Sequence, residues 1–186
     1  MLANYRCNEI KDQTIVFYEK DLNNFVKNSN NSLLSNFRIQ CEKLREKILE
    51  TYDEFAKNYF ERIYKEVREH LDSHTLNIFY IGFTNQGRLF IPLAQKNLIK
   101  EIDKELLINE NFSKVVEKLK KNNLEHFTKY MSTLQISKNW DLNINSVIEI
   151  FDDVINFSRK QRLDEKKKDH IVNLILILEK NKKTIR

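Results

Sequence analysis

The sequence predicts an all-α protein, an elongated multi-helix bundle with one long spine helix. The 186-residue chain holds only two glycines and one proline, whereas sheet-rich and loop-rich proteins need many such residues in their turns. Apolar residues recur every three or four positions through most of the chain, as they do along one face of an α-helix. Lysine and glutamate alternate between these positions, which is typical of solvated helix faces.

The longest apolar stripe predicts one continuous spine helix within residues 32–76. Oppositely charged residues four positions apart, Asp53 with Lys57 and Glu61 with Lys65, support a helix there. From Phe37 to Leu71 a straight helix would rise about 50 Å, a length typical of a strut or of the spine of a bundle. The stripe consists of Phe37, Cys41, Leu44, Ile48, Tyr52, Phe55, Tyr59, Ile63, Val67 and Leu71.

Further helices flank this spine on both sides. Residues 1–31 are predicted to form an N-terminal helical segment that ends in a polar turn, where Asn31 or Ser32 can cap the next helix. Residues 77–92 contain both glycines and the proline, and could form a bend, a kinked helix or a loop. Residues 92–186 are predicted to form the further bundle helices, the first from about 93 to 108. We expect six or so helices and no strand.

Nothing in the sequence predicts catalytic, cofactor-binding or metal-binding residues. It contains neither G-x-x-x-x-G-K-[ST] nor G-x-G-x-x-G, the loops that hold nucleotide phosphates. His70 and His74 stand four apart but lack the glutamate of H-E-x-x-H, so a surface pair is the better interpretation. Asp152 and Asp153 are adjacent on a helix and do not converge on one substrate. We therefore expect this chain not to be an enzyme.

Cysteines and basic residues suggest no special chemistry either. Arg6 next to Cys7 could lower the pKa of the thiol, but adjacent helical residues point about 100° apart, which favours a small buried core thiol. The densest basic run, Lys166 to Lys168, fits a solvated face. Because the net charge of +5 is spread among interleaved acidic residues, we expect no nucleic-acid partner. The chain lacks a signal peptide and an apolar span of about 20 residues, which predicts a soluble cytosolic protein.

Several short stretches resemble a known family. "YRCNEI" at residues 5–10 is similar to the Arg-Cys-x-Glu-Ile signature of the Root Hair Defective and Sey family, the atlastin-like GTPases of the dynamin superfamily that fuse endoplasmic reticulum membranes. "LETYDEFAKNYFERIYKEVREHL" from Leu49, "NENFSKVVEK" from Asn109 and "NWDLN" around Trp140 resemble later segments of that family. The four stretches follow the family's order and span most of residues 3–145.

The resemblance implies that residues 1–186 are a stalk (middle-domain) fragment without the GTPase head or the membrane segments. It implies no cofactor here, since GTP and Mg would bind in the absent head of the parent. It also implies three partners: the GTPase head of the same chain, a second copy of the parent protein, and the membrane, through absent transmembrane segments. The parent would lie on the cytosolic face of the endoplasmic reticulum and would itself be a GTPase.

The resemblance to a stalk implies mechanical roles for several residues. Trp140 is expected to fill a turn between two helices. The residues expected near the junction with the head are Arg6, Cys7, Glu9 and Ile10. Those expected to hold the spine against its neighbours are Phe37, Leu44, Ile48, Phe55, Tyr59 and Ile63. The alternative function is a stand-alone cytosolic scaffold or adaptor whose apolar stripe binds a partner helix.

Overall fold

The computed structural model describes residues 2–59, 61–106, 111–141 and 143–184, with the backbone alone for 106, 166, 167, 170 and 173–184. Within these ranges it has five helices: α1 (Leu2–Asn31), α2 (Phe37–Ala56), α3 (Glu61–Leu106), α4 (Phe112–Leu134) and α5 (Ile144–Thr184). No residue within the described ranges lies in a β-strand. The all-α prediction is confirmed, and the helix number is close to the one expected.

The prediction of one continuous helix across residues 32–76 is wrong. Helix α2 ends at Ala56 and α3 begins at Glu61. The two helices form an antiparallel hairpin in which the rings of Tyr52 and Tyr64 stack with centroids 5.8 Å apart. The apolar stripe keeps its period through the turn because both arms of the hairpin bury residues at helical spacing. Periodicity therefore cannot distinguish a straight helix from two helices that fold back on each other.

The long helix of this protein is α3, with 46 residues. It includes the stretch 77–92, so a new helix does not start near residue 93. Gly82 and Gly87 are buried, and neither has a positive φ. A Cβ added at Gly82 would lie 2.7 Å from the ring of Phe25, which shows that this glycine allows close packing rather than a turn. The predicted end at Ile108 falls outside the described residues.

The chain divides into two compact units. Unit 1 comprises Met1–Leu93 and His126–Leu142, and unit 2 comprises Ala94–Glu125 and Asn143–Arg186. In unit 1 the ring of Phe25 on α1 contacts those of Phe37 on α2 and Phe79 on α3, with centroids 5.4 and 5.1 Å apart. The buried apolar residues of unit 2 include Leu98, Ile102, Val116, Leu119, Phe151 and Ile155.

A buried glutamine anchors the connection between α1 and α2. The Gln86 side chain is fully buried on α3. Its Nε2 donates to the carbonyls of Ser29 (2.8 Å) and Ser32 (2.9 Å), and its Oε1 accepts from the Leu34 amide at 2.7 Å. These bonds satisfy backbone groups at the end of α1. The predicted cap at Asn31 or Ser32 is wrong, because α1 extends to Asn31 and the residue that precedes α2 is Asn36.

Trp140 is buried, as expected of a residue that fills a turn. It lies in the connection after α4, and its ring centroid is 5.0 Å from that of Phe83 and 5.8 Å from that of Tyr80 on α3. Gln135 donates a hydrogen bond of 2.8 Å to the Trp140 carbonyl. The indole therefore ties this connection to α3 within unit 1.

Candidate docking surface

The histidines and carboxylates that the sequence offers for chemistry do not converge on one site. His70 and His74 are both exposed on α3, and over the part of the chain that the structure describes no three His, Cys, Asp or Glu residues are grouped closely enough to hold a metal ion. Asp152 accepts a bond of 2.5 Å from Lys120, while Asp153 is exposed. Lys168 is exposed, and the side chains of residues 166 and 167 lie outside the described ones.

The two cysteines are buried core residues. Cys7 and Cys41 are both fully inaccessible, which confirms the buried-thiol interpretation of Cys7. Burial raises the pKa of the Cys41 thiol, with Glu42 adding to the effect. The pKa of Tyr52 is raised by burial first and then by its neighbour Cys7. Because the thiolate is the nucleophile, buried thiols of this kind are unreactive.

An open apolar groove of about 510 Å³ lies between α1 and the end of α2 in unit 1. We call it the α1–α2 groove and define it by its lining residues: Ile10, Gln13, Thr14, Phe17, Thr51, Phe55 and Tyr59. Phe17 is 73% exposed and Phe55 is 60% exposed, and Tyr59 is also open to solvent. Exposed aromatic side chains that share one groove are typical of protein interaction sites.

Two hydroxyl groups of the groove wall, those of Thr14 and Thr51, are already hydrogen-bonded. The Thr51 and Tyr18 hydroxyls are 2.9 Å apart, and Thr14 donates to the Ile10 carbonyl at 2.8 Å. The Phe17 ring meets the Tyr18 ring edge-on at 5.0 Å, so Tyr18 supports it from one side. What remains open in the groove is therefore mainly aromatic and aliphatic surface, which can bind a partner by burial rather than by charge.

The residues expected at the head junction are divided between the surface and the core. Arg6 is exposed and donates a 2.8 Å bond to Glu9. This bond raises the pKa of the Arg6 guanidinium. Ile10 lines the α1–α2 groove, whereas Cys7 is buried against the core. All four residues lie on α1, and Ile10 is the one among them that lines the α1–α2 groove.

The residues expected to hold the spine also separate into two groups. Phe37 and Ile48 are buried, and Leu44 and Ile63 are half-buried. The prediction is wrong for Phe55 and Tyr59, which are exposed because α2 ends at Ala56 and the chain turns there. One sequence feature could have indicated an exposed face on α1: residues 15–18, "IVFY", are four consecutive apolar residues, more than one helix face can bury.

Two ion pairs clamp the α2–α3 hairpin. Arg45 on α2 donates to both oxygens of Asp72 on α3, at 2.5 and 2.6 Å. Arg68 on α3 donates to both oxygens of Asp53 on α2, at 2.7 and 3.0 Å, and the Tyr64 hydroxyl adds a bond of 2.5 Å to Asp53. Each carboxylate raises the pKa of its arginine chiefly through these bonds. Bidentate pairs fix geometry more strictly than single contacts.

Comparison with known proteins gives a consistent result. Residues 35–181 match the family described as the Sey1 three-helix bundle domain. "Protein SEY1 homolog 1" of Entamoeba histolytica is 29% identical over 92 residues, which are 49% of this chain and 10% of that protein. "Protein SEY1 homolog 2" of Paramecium tetraurelia is 27% identical over 130 residues, 68% of this chain and 16% of that protein. The chain thus spans about a sixth or less of these relatives.

No solved structure matches the chain. Among the helices as far as the structure describes them, none combines the length and the apolar character that crossing a bilayer requires.

Proposed function

The chain belongs to the Sey1 three-helix bundle domain family, and from this premise we propose that it is the mechanical stalk of a membrane-anchored, dynamin-like GTPase. In this proposal the parent protein mediates homotypic fusion of endoplasmic reticulum membranes from their cytosolic face. The stalk links GTP hydrolysis in the head to membrane tethering. The match of residues 35–181 to the family carries the proposal.

The clamped α2–α3 hairpin supports a mechanical role. A stalk must transmit a displacement along its length, whereas a flexible connection would lose it in chain entropy. The Arg45–Asp72 and Arg68–Asp53 pairs connect the two helices at two levels. Together with the stacked rings of Tyr52 and Tyr64 they resist sliding of α2 along α3.

The α1–α2 groove is proposed to receive the GTPase head of the same parent chain. Arg6, Glu9 and Ile10 would then lie at or beside that junction, as the sequence resemblance implies. The exposed rings of Phe17 and Phe55 favour this assignment, because buried aromatic side chains dominate the binding energy of many interfaces. A second copy of the parent and the membrane, reached through transmembrane segments, are the further partners proposed.

Nucleotide binding is assigned to the head. We expect the purified 186-residue chain neither to bind nor to hydrolyse GTP, with or without Mg²⁺, because it has no loop that could hold the phosphates. Calorimetric titration and a phosphate-release assay measure these two properties. Turnover above the buffer rate would contradict the assignment.

The stalk proposal is tested in the full-length parent, reconstituted into liposomes and followed by lipid mixing. The double variant Arg45→Ala, Arg68→Ala removes both clamps. We expect lipid mixing to fall at least threefold while GTP turnover stays within about twofold of wild type. The control is Arg62→Ala, which removes a surface pair with Glu66 inside α3 and leaves the hairpin intact. Unchanged lipid mixing in the double variant would count against a mechanical role for the hairpin.

The head-docking part has its own test. The isolated head of the parent is titrated with the 186-residue chain in the presence of GDP and of a transition-state analogue. The double variant Phe17→Asp, Phe55→Asp is expected to weaken binding at least tenfold. Phe157→Asp is the matched control, because Phe157 is also an exposed helical phenylalanine, at 61%, but lies on α5. Equal binding by wild type and double variant would place the head elsewhere.

A further inference from the structure

All the residues of this chain with the poorest helix propensity lie in one segment of α3. The two glycines and the single proline of the sequence are Gly82, Gly87 and Pro92, spaced five residues apart. In a helix interior each glycine costs about 1 kcal/mol relative to alanine, and a proline costs about 3 kcal/mol. The middle of the longest helix is thus intrinsically its weakest part.

Packing explains the two glycines. A Cβ at Gly82 would lie 2.7 Å from Phe25, and one at Gly87 would lie 3.1 Å from the methyl carbon of Met131. Both glycines are buried, so the close approach of neighbouring side chains offsets their weak propensity. Their presence therefore has a structural reason.

Pro92 has no comparable compensation. It is exposed on α3, and the following residue, Leu93, is exposed as well. Proline carries no amide hydrogen, so the carbonyl of Arg88 lacks its usual helical donor, and the proline ring crowds that carbonyl. The helix thus loses a hydrogen bond at a position where no burial is gained.

Pro92 also follows directly after a firmly anchored turn. The Phe90 ring stacks on that of Tyr130 with centroids 4.3 Å apart and lies 5.9 Å from that of Phe127. The part of α3 that belongs to unit 1 ends at Leu93. The weak hydrogen-bonding position therefore coincides with the edge of unit 1 on this helix.

We propose that Arg88 to Pro92 form a yield point of α3, a segment at which the helix opens locally and bends under load while the turns before it stay packed. Its use in the protein rests on the proposed stalk function. Its existence does not, because local opening is a property of the helix alone.

Native-state hydrogen exchange on the 186-residue chain tests whether the yield point exists. We expect the amides of residues 88–96 to be less protected than those of residues 75–86, earlier in the same helix. Pro92→Ala restores the missing donor and should slow exchange in 88–96 roughly ten- to hundredfold, corresponding to the cost of a helical proline. Lys96→Ala, at an exposed position four residues further on, is the control and should change exchange less than twofold. Equal protection of both segments in wild type, or a change below threefold in Pro92→Ala, overturns the proposal.

Lipid mixing by the full-length parent tests whether bending at the yield point contributes to membrane fusion. If it does, Pro92→Ala should slow lipid mixing at least threefold with GTP turnover unchanged. If Pro92→Ala slows hydrogen exchange but lipid mixing stays normal, bending at the yield point is not used in fusion. The proposed stalk function is not affected by that result. Unchanged lipid mixing in the double variant Arg45→Ala, Arg68→Ala would instead reject the stalk function.

Discussion

Arg45 and Asp72 form a bidentate pair between α2 and α3, and its direction is opposite to that of the neighbouring pair of Arg68 and Asp53. In the first pair the cation is on α2 and the carboxylate on α3, whereas in the second the positions are exchanged. Each helix therefore carries one arginine and one aspartate of the clamp. A hairpin that slides in either direction must break both pairs, which makes its register specific.

Arg45→Ala is expected to lower the free energy of unfolding by about 1 kcal/mol. The magnitude is modest because both side chains are partly exposed and water screens their attraction. Arg62→Ala, which removes a well exposed pair with Glu66 inside α3, should change it by less than about 0.5 kcal/mol. Urea unfolding of the two variants measures the difference. Equal effects would mean that the hairpin clamp contributes no more than an ordinary surface pair.

The two glycines of α3 should respond differently to alanine. Gly82→Ala places a methyl group against the rings of Phe25 and Phe37, both buried, and should destabilise the chain by roughly 1 to 3 kcal/mol. A methyl group at Gly87 would lie 3.1 Å from the flexible end of Met131 and 3.9 Å from the Phe127 ring. This milder crowding should be offset by the gain in helix propensity of about 1 kcal/mol, so we expect Gly87→Ala to be about as stable as wild type. Thermal melts of the pair decide the matter, and a Gly82→Ala protein as stable as wild type would argue against the tight contact.

Ile48 and Ile39 provide a matched test of which face of α2 is buried. Ile48 is 1% exposed and Ile39 is 51% exposed on the same helix. Ile48→Asp buries an unpaired carboxylate and should lower the unfolding free energy by more than about 3 kcal/mol. Ile39→Asp should cost less than about 1 kcal/mol. A small loss in both variants would show that the stripe faces water.

Tyr130 carries a buried hydroxyl that has no hydrogen-bond partner among the residues the structure describes. Burial raises the pKa of this phenol. The folded state thus favours the neutral form, so this contribution to stability is complete below the ordinary pKa of about 10 and is lost as the pH rises through the folded-state value.

At neutral pH the free energy of unfolding of Tyr130→Phe is therefore expected to equal that of wild type or to exceed it by up to about 1 kcal/mol. Above pH 10 the variant should lose less stability than wild type. The control is Tyr5→Phe, which removes an exposed hydroxyl and should alter neither property. Denaturant unfolding at pH 7 and pH 10.5 gives both values. A clear loss of stability at pH 7 would reveal a bonded hydroxyl.

The course of the chain between Tyr52 and Tyr64 shows where pattern reasoning succeeds and where it fails. The helical period on both sides of the turn is visible in the sequence, and both helices exist. The turn itself is not visible, because residues 57–60 contain neither glycine nor proline. Conversely, Gly82, Gly87 and Pro92 look like a break and yet lie inside α3. Close packing at the two glycines offsets their low helix propensity.

The candidate docking surface could be predicted only in part. The family resemblance implies that Arg6, Glu9 and Ile10 lie near the head junction, and Ile10 lines the α1–α2 groove. The spacing of Phe55 and Tyr59 continues the apolar stripe and therefore predicts that both are buried. Their exposure depends on α2 ending at Ala56.

By itself, the sequence determined the helical class and the lack of nucleotide-binding loops, because helix propensity and motif spacing act between residues close together in the chain. Its ordered short motifs were also enough to indicate the family. Tertiary structure alone decided where the stripe folds back, which aromatic side chains stay open to solvent and why α3 tolerates its glycines. These features depend on contacts such as Phe25 with Gly82 and Arg45 with Asp72, and no local pattern specifies which distant residues will meet.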